Sequence, residues 1–307
     1  MASPTLFRSL KTGKTIRVQG DAIGQGGEAT VYKVRGQPSQ VAKVYKEPTS
    51  EQAEKLAAML KTAPRQSLAR PAIAWPIDAL LDPRNSQVQG MVMPFGIGTV
   101  RLFEVTIPKL RKARCPGVSL DFLTCVAANL ATVVHQIHSA GHVIGDVNDQ
   151  NILVRQDASI MVIDCDSFQV RQGTRIYPCM VGRPEYSAPE VLAGRVGRFR
   201  DQGQDCFALA VVVFQLLFNG RHPFEGLDAQ FHTVEDRMVR GRFPHALVRQ
   251  PGVEPPRDVR LVRLLSVLID LFSEAFDAGC QKPDMRPSAR RWAKSLLKAR
   301  PVMARLN

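Results

Sequence analysis

The sequence predicts an α+β fold in two lobes, strand-rich in front and helical behind. Three observations predict it. Short runs of β-branched residues punctuated by glycine fill about the first hundred residues. An apolar face at helical spacing begins after Ser119. Helical patterns then dominate from Asp205 onward. At 307 residues the chain has room for one large or two modest domains, and the expected division is 1–96 and 97–307.

Thr15–Val18 and Thr30–Val34 carry the β-branched signature of strands, and Val41–Tyr45 and Gln87–Met93 continue it. A helix interrupts them from about Ser50 to Leu60, with Ser50 placed to cap its N-terminus. In the back lobe, Asp121–Ser139 sets Phe122, Val126, Leu130, Val133, Val134 and Ile137 on one helical face. Two short strands follow, Ile152–Val154 and Ile160–Ile163.

Apolar residues make up 45% and charged residues 22%, which supports a buried core and excludes a disordered or collagen-like chain. Lys and Arg outnumber Asp and Glu by 41 to 28, a net charge of +13 that suits phosphorylated or otherwise acidic partners as well as a solvated basic surface. The six cysteines show no paired spacing and read as reduced thiols of a cytoplasmic protein. Met1–Pro4 lacks a basic-then-apolar leader, and the longest apolar stretch, Phe207–Phe218, is too short to span a bilayer, so neither a signal peptide nor a membrane contact is expected.

The chemistry-bearing residues fall into three groups. Ile23–Tyr32 is a glycine-rich turn; alone it is more often a plain hairpin, but its bare backbone N–H groups can also approach phosphate. Lys43 lies in mid-strand among apolar neighbours and needs an acidic partner, for which Glu54 is chosen and Glu51 is the fallback. In Ile144–Val154, Asp146 precedes Asn151 by five residues, and Asp164 ends the next strand. Asn151 and Asp164 flank one hairpin and offer the hard oxygens that suit Mg²⁺, which leaves Asp146 to accept the proton of an attacking hydroxyl. Taken singly, each Asp is more often a turn or cap residue.

In this order, with Ala188-Pro189-Glu190 after them, these motifs resemble the eukaryotic-like protein kinase superfamily over Ile16–Arg300. The resemblance implies a bilobal kinase-like fold that binds ATP with Mg²⁺, or with Mn²⁺ in its place. Gly24, Gly26, Gly27 and Val31 would cover the nucleotide, and Lys43, paired with Glu54, would hold its phosphates. Asp146 would be the catalytic base, Asn151 and Asp164 the metal ligands, and Met93 and Phe95 part of the adenine-binding hinge. Asp205 would anchor the catalytic loop, and Arg286 would pair with Glu190.

Several positions depart from the family pattern. Ala29 stands for the third loop glycine, Ile144-Gly145 for His-Arg, Asn148 for a lysine, Cys165-Asp166 for Phe-Gly, and Arg183 for a threonine. Without an arginine before Asp146, activity should not require a phosphorylated activation segment. The missing lysine leaves transition-state charge neutralisation open, Arg183 points to altered substrate docking, and Asp166 is either a second metal ligand or, as preferred, a turn residue.

Within the superfamily, the chain is similar to bacterial Ser/Thr kinases encoded beside tellurite-resistance proteins. That similarity implies a von Willebrand A-type protein and a PP2C-type phosphatase as partners. Some members of that group continue into a helix-hairpin-helix or zinc-binding tail, and none is expected within residues 292–307. The leading reading is transfer of phosphoryl from Mg-ATP to Ser or Thr of a protein, in bacterial signalling or stress response. The alternatives are a small-molecule kinase of the aminoglycoside or choline type and a nucleotide-binding pseudokinase scaffold. Basic residues cluster at Lys109, Arg111, Lys112 and Arg114, and again at Arg195, Arg198 and Arg200. With almost no interleaved aromatics, they suit docking of an acidic partner better than nucleic acid, and a plain solvated loop is the commoner reading of such clusters.

Overall fold

The computed structural model describes residues 6–67, 69–261 and 264–305, so the expectation for Met1–Pro4 lies outside the described residues. The strands and helices form the expected α+β mixture, gathered into two compact units. One comprises the described residues of 6–97 together with 161–166 and 170–177. The other comprises the described residues of 98–160, 167–169 and 178–305.

The first unit is a closed barrel. Its strands are β1 (Leu6–Ser9), β2 (Thr15–Gln25), β3 (Ala29–Val34), β4 (Gln37–Tyr45), β5 (Asp78–Leu81) and β6 (Val88–Pro94). They run in the order β1-β2-β3-β4-β6-β5, and β5 closes antiparallel onto β1. Inward positions bury Phe7, Val18, Val34, Ala42, Leu80 and Val92 as one core. Opposite Lys43 stand Val31 on one side and Met91 on the other. Gly90 permits that approach, because a Cβ there would lie 2.1 Å from the Lys43 carbonyl oxygen.

Helix α1 (Ser50–Lys61) follows β4. Its cap is Thr49 rather than Ser50: the Thr49 hydroxyl accepts from Gln52 N at 3.2 Å, and Gln52 Oε1 accepts from Thr49 N at 3.0 Å. This reciprocal capping box closes both ends of the first turn, which Ser50 one residue later would not. The helix buries Leu56, Ala58 and Met59, and the Trp75 indole donates to the Met59 carbonyl at 2.8 Å. Residues 161–166 group with this unit, not with the expected 97–307 lobe. Ala74 N donates to Val162 O at 2.8 Å and Val162 N to Ala72 O at 2.9 Å, a parallel bridge that stitches them to the barrel side.

The second unit holds α2 (Leu102–Thr106), α3 (Pro108–Arg114), α4 (Leu120–Ser139), α5 (Pro189–Leu192), α6 (Gln202–Leu217), α7 (Val234–Val239), α8 (Ser266–Ser273), α9 (Gly279–Gln281) and α10 (Ala289–Met303). Ser119 caps α4 by accepting from Phe122 N at 3.2 Å. Among the described residues α4 is the one helix long and apolar enough to cross a membrane, a candidate the Phe207–Phe218 reading overlooked. Its apolar face packs on α6 and α10, as a core helix does. Helix α6 is buried nearly all round, and its Phe207 and Phe214 meet Phe276 edge-on at 5.6 and 6.3 Å.

Two histidines pack into this aromatic layer. His222 Nε2 donates to the Glu185 carbonyl at 2.9 Å, so Nδ1 is the acceptor for Phe224 N at 3.2 Å. A second ring proton would face that N–H donor in a desolvated site. Burial accordingly lowers the His222 pKa from 6.5 to about 4, and burial does the same to His245 beside Phe214 and Phe243. The unfolded chain takes up these protons near pH 6.5 and the folded chain only near 4. Stability is therefore complete above pH 6.5 and falls as pH drops towards 4, on the order of 2–3 kcal/mol for His222. Urea unfolding at pH 7.5, 6 and 4.5 checks this: His222→Gln should lose about one proton of the pH slope.

Candidate active site

Lys43 sits on β4 with its side chain 14% exposed, and its Nζ lies 2.6 Å from both Asp164 Oδ1 and Asp166 Oδ1. Burial opposes the charge, but the two carboxylates outweigh it and hold the ammonium above the ordinary lysine range. Asp164 adopts a left-handed backbone (φ +63°), which an Asp tolerates better than most residues. The Cys165–Ser167 3₁₀ turn brings Asp166 to the same ammonium. Asp166 thus lies in a turn, as expected, and is also an ion-pair partner of Lys43.

The chosen partner of Lys43, Glu54, is held instead by Arg175 of the 170–177 hairpin. Side-chain spacing put Glu54 on a plausible face of α1 but carried no information about the arginine that claims it. The glycine-rich turn closes through Gly26 N to Ala29 O at 2.9 Å. Gly24, Gly26 and Gly27 are exposed and need no positive φ, and a Cβ on any of them would meet nothing closer than 3.7 Å. The fold itself does not require these glycines. Met93 is buried opposite Val41, and Phe95 N donates to Ser39 O at 2.8 Å.

In the second unit, Asp205 on α6 is almost fully buried and organises residues 143–151. Its Oδ2 accepts from Ile144 N and its Oδ1 from Gly145 N, both at 2.7 Å, and His138 Nε2 lies 2.9 Å from Oδ2. Gly145 has φ +75°, and a Cβ there would lie 2.6 Å from Cys179 Sγ, so no arginine fits this position. Asn151 Nδ2 donates to Asp146 Oδ2 at 3.0 Å and to its carbonyl at 3.2 Å. That fixes the amide orientation and turns Asn151 Oδ1, the end a hard cation prefers, away from Asp146. Asp146 Oδ1 is buried and has no hydrogen-bond partner among the described residues.

Asn148 is 1% exposed. Its Nδ2 donates to Asp146 O at 3.1 Å and its Oδ1 accepts from Gln150 N and Asn151 N, so it shapes the loop and presents nothing outward. Arg200 Nη1 donates to Gly145 O at 2.7 Å and Nη2 to Val181 O at 3.0 Å, while its backbone is bonded both ways to the Gln169 amide. Arg200 and Arg111, which donates to Asn219 Oδ1 at 2.7 Å, serve internal contacts and do not line a docking surface as their clusters suggested.

The protein kinase domain family matches residues 17–290. The chain belongs to that family. It is 34% identical over 303 residues to protein kinase YegI of Escherichia coli O157:H7, covering 95% of this chain and 46% of that protein. With protein kinase YegI of Escherichia coli strain K12 it shares 34% over 287 residues, 90% of this chain and 44% of that protein. The chain therefore spans less than half the length of these relatives. A PAS domain-containing serine/threonine-protein kinase of Mus musculus is 31% identical over 135 residues, 44% of this chain and 9% of that protein.

Within this kinase domain the expected support pair is formed. Arg286 Nη1 and Nη2 each lie 2.7 Å from a Glu190 oxygen, and the Arg286 side chain is fully buried over the Phe207 ring. Burial pushes the Glu190 carboxyl up, and the Arg286 charge and hydrogen bonds more than reverse it. Sequence reasoning missed Arg175, the Arg200 clamp and the Lys43 pairing of Asp166. The spacing of Asp166, two residues after Asp164, was the one signal available for the last of these.

Proposed function

We propose that this kinase domain transfers the γ-phosphoryl group of ATP to a Ser or Thr hydroxyl of a protein. The observation that carries the reading is Asp146: a buried carboxylate oxygen with no partner, its twin fixed by Asn151 and its loop anchored by Asp205. Leaving such an oxygen unsatisfied costs stability, a cost that an incoming hydroxyl donor removes. Lys43 is kept cationic and takes phosphate oxygens. Asp164 and Asn151 each offer hard oxygens of the kind Mg²⁺ or Mn²⁺ takes, and the cation would neutralise phosphate charge when bound. Gly24, Gly26 and Gly27, which the fold does not need as glycines, put no side chain between the turn's backbone and an approaching phosphate.

None of the six cysteines forms a disulfide, which suits a cytoplasmic setting. The subfamily resemblance supports bacterial signalling, with a von Willebrand A-type protein and a PP2C-type phosphatase as partners. The test is phosphoryl transfer from ATP with Mg²⁺ or Mn²⁺ to generic protein acceptors, followed by phosphosite mapping. Phosphoserine or phosphothreonine supports the reading. Transfer only to aminoglycosides or choline, or nucleotide binding without transfer, overturns it. Gly27→Val should leave the melting temperature within about 2 °C while weakening ATP binding at least about tenfold, read by calorimetry.

A further inference from the structure

Phosphoryl transfer builds negative charge on the transferring oxygens, and a cation placed beside the base relieves it. In the second unit, a cavity is lined by Asp146 together with Arg183, Arg200, Tyr186, Gln204 and Asp205. Its two arginines differ in one respect. The Arg200 guanidinium is committed to the carbonyls of Gly145 and Val181. The Arg183 guanidinium makes no hydrogen bond among the described residues, and its nearest acid is Glu185 at 4.0 Å. Asn148, on the same loop as Asp146, is turned inward and supplies no charge.

Arg183 is held ready at its backbone, where its carbonyl accepts from Ser187 Oγ at 2.8 Å and from Tyr186 N at 3.1 Å. Its charge also reaches Asp149, whose carboxyl is raised by burial and drawn back by the Tyr186 hydroxyl and Arg183. We propose that Arg183 is a further catalytic residue, the cation that meets the transferring phosphoryl group beside Asp146. This rests on the kinase reading above. In the step, the acceptor hydroxyl oxygen forms a bond to the γ-phosphorus. The bond from that phosphorus to the β,γ-bridging oxygen breaks, its electron pair leaves on ADP, and the hydroxyl proton passes to Asp146. Arg183 donates N–H groups to the equatorial oxygens as their charge grows.

The experiment compares wild type with Arg183→Ala, Arg183→Lys and Arg249→Ala, the last an exposed control that removes the same charge. Arg183→Ala should lower kcat about 100-fold with KM for ATP within about threefold, and Arg183→Lys should restore at least about tenfold of the loss. Arg249→Ala should match wild type. Without nucleotide or metal, inorganic phosphate should show ³¹P line broadening with wild type and Arg249→Ala that Arg183→Ala abolishes. An Arg183→Ala chain that keeps kcat within about twofold of wild type overturns the assignment while leaving the kinase reading intact. A wild-type chain with no transfer at all overturns both.

Discussion

Asp146→Asn should lower the rate of phosphoryl transfer about a thousandfold and leave the fold at least as stable as wild type. Asn151 already donates to one oxygen of this side chain, and a substituted amide can keep an acceptor on that side. The other position, where wild type buries an oxygen with no partner, would then hold an NH₂ group. The substitution removes a desolvated negative charge, so thermal melting should stay level or rise, as at many sites that trade stability for function. A structural role for Asp146 gives the opposite result, a fall in melting temperature with transfer preserved. Asp149→Asn is the matched control: its carboxyl is already raised by burial, and it should lose far less activity than Asp146→Asn.

The parts of this kinase domain that were legible in the sequence are those fixed by local pattern or by chain order. Strand alternation located β2, β3, β4 and β6, and the apolar face after Ser119 located α4 to within one residue at its start. The kinase resemblance implied that Asp205 anchors the catalytic loop and that Arg286 pairs with Glu190, and the structure forms both, Asp205 through the backbone of Ile144 and Gly145. What was not legible depended on competition between long side chains. Lys43 reaches either an acid on α1 or an acid beyond the 161–163 strip, and nothing in residue spacing ranks them. The structure gives it to Asp164 and Asp166, and Glu54 goes to Arg175. The role of Arg200 was hidden for the same reason, since a run of exposed-looking arginines gives no hint that one of them caps two loop carbonyls. That clamp also accounts for the glycine before Asp146. With Cys179 packed on Gly145 and Arg200 tying Gly145 to Val181, the segment is held by side-chain packing and by guanidinium hydrogen bonds to two carbonyls.

Asp205→Ala should cost about 3–5 kcal/mol and abolish transfer, because the carboxylate serves three donors at once in a site closed to water. Ile144 N and Gly145 N would be left buried without acceptors, and His138 would lose its anionic partner. Asp205→Asn should be little better. Both backbone donors point at the side chain, one at each oxygen, so an amide must turn its NH₂ towards an N–H and lose one bond whichever way it flips. Urea unfolding gives the stability and hydrogen exchange gives the location. The amides of Ile144 and Gly145 should exchange faster in both variants even under conditions where α6 remains protected. A variant that keeps those two amides protected and still transfers phosphoryl would show that the loop is anchored from elsewhere, and the argument that makes Asp146 a positioned base would fail with it.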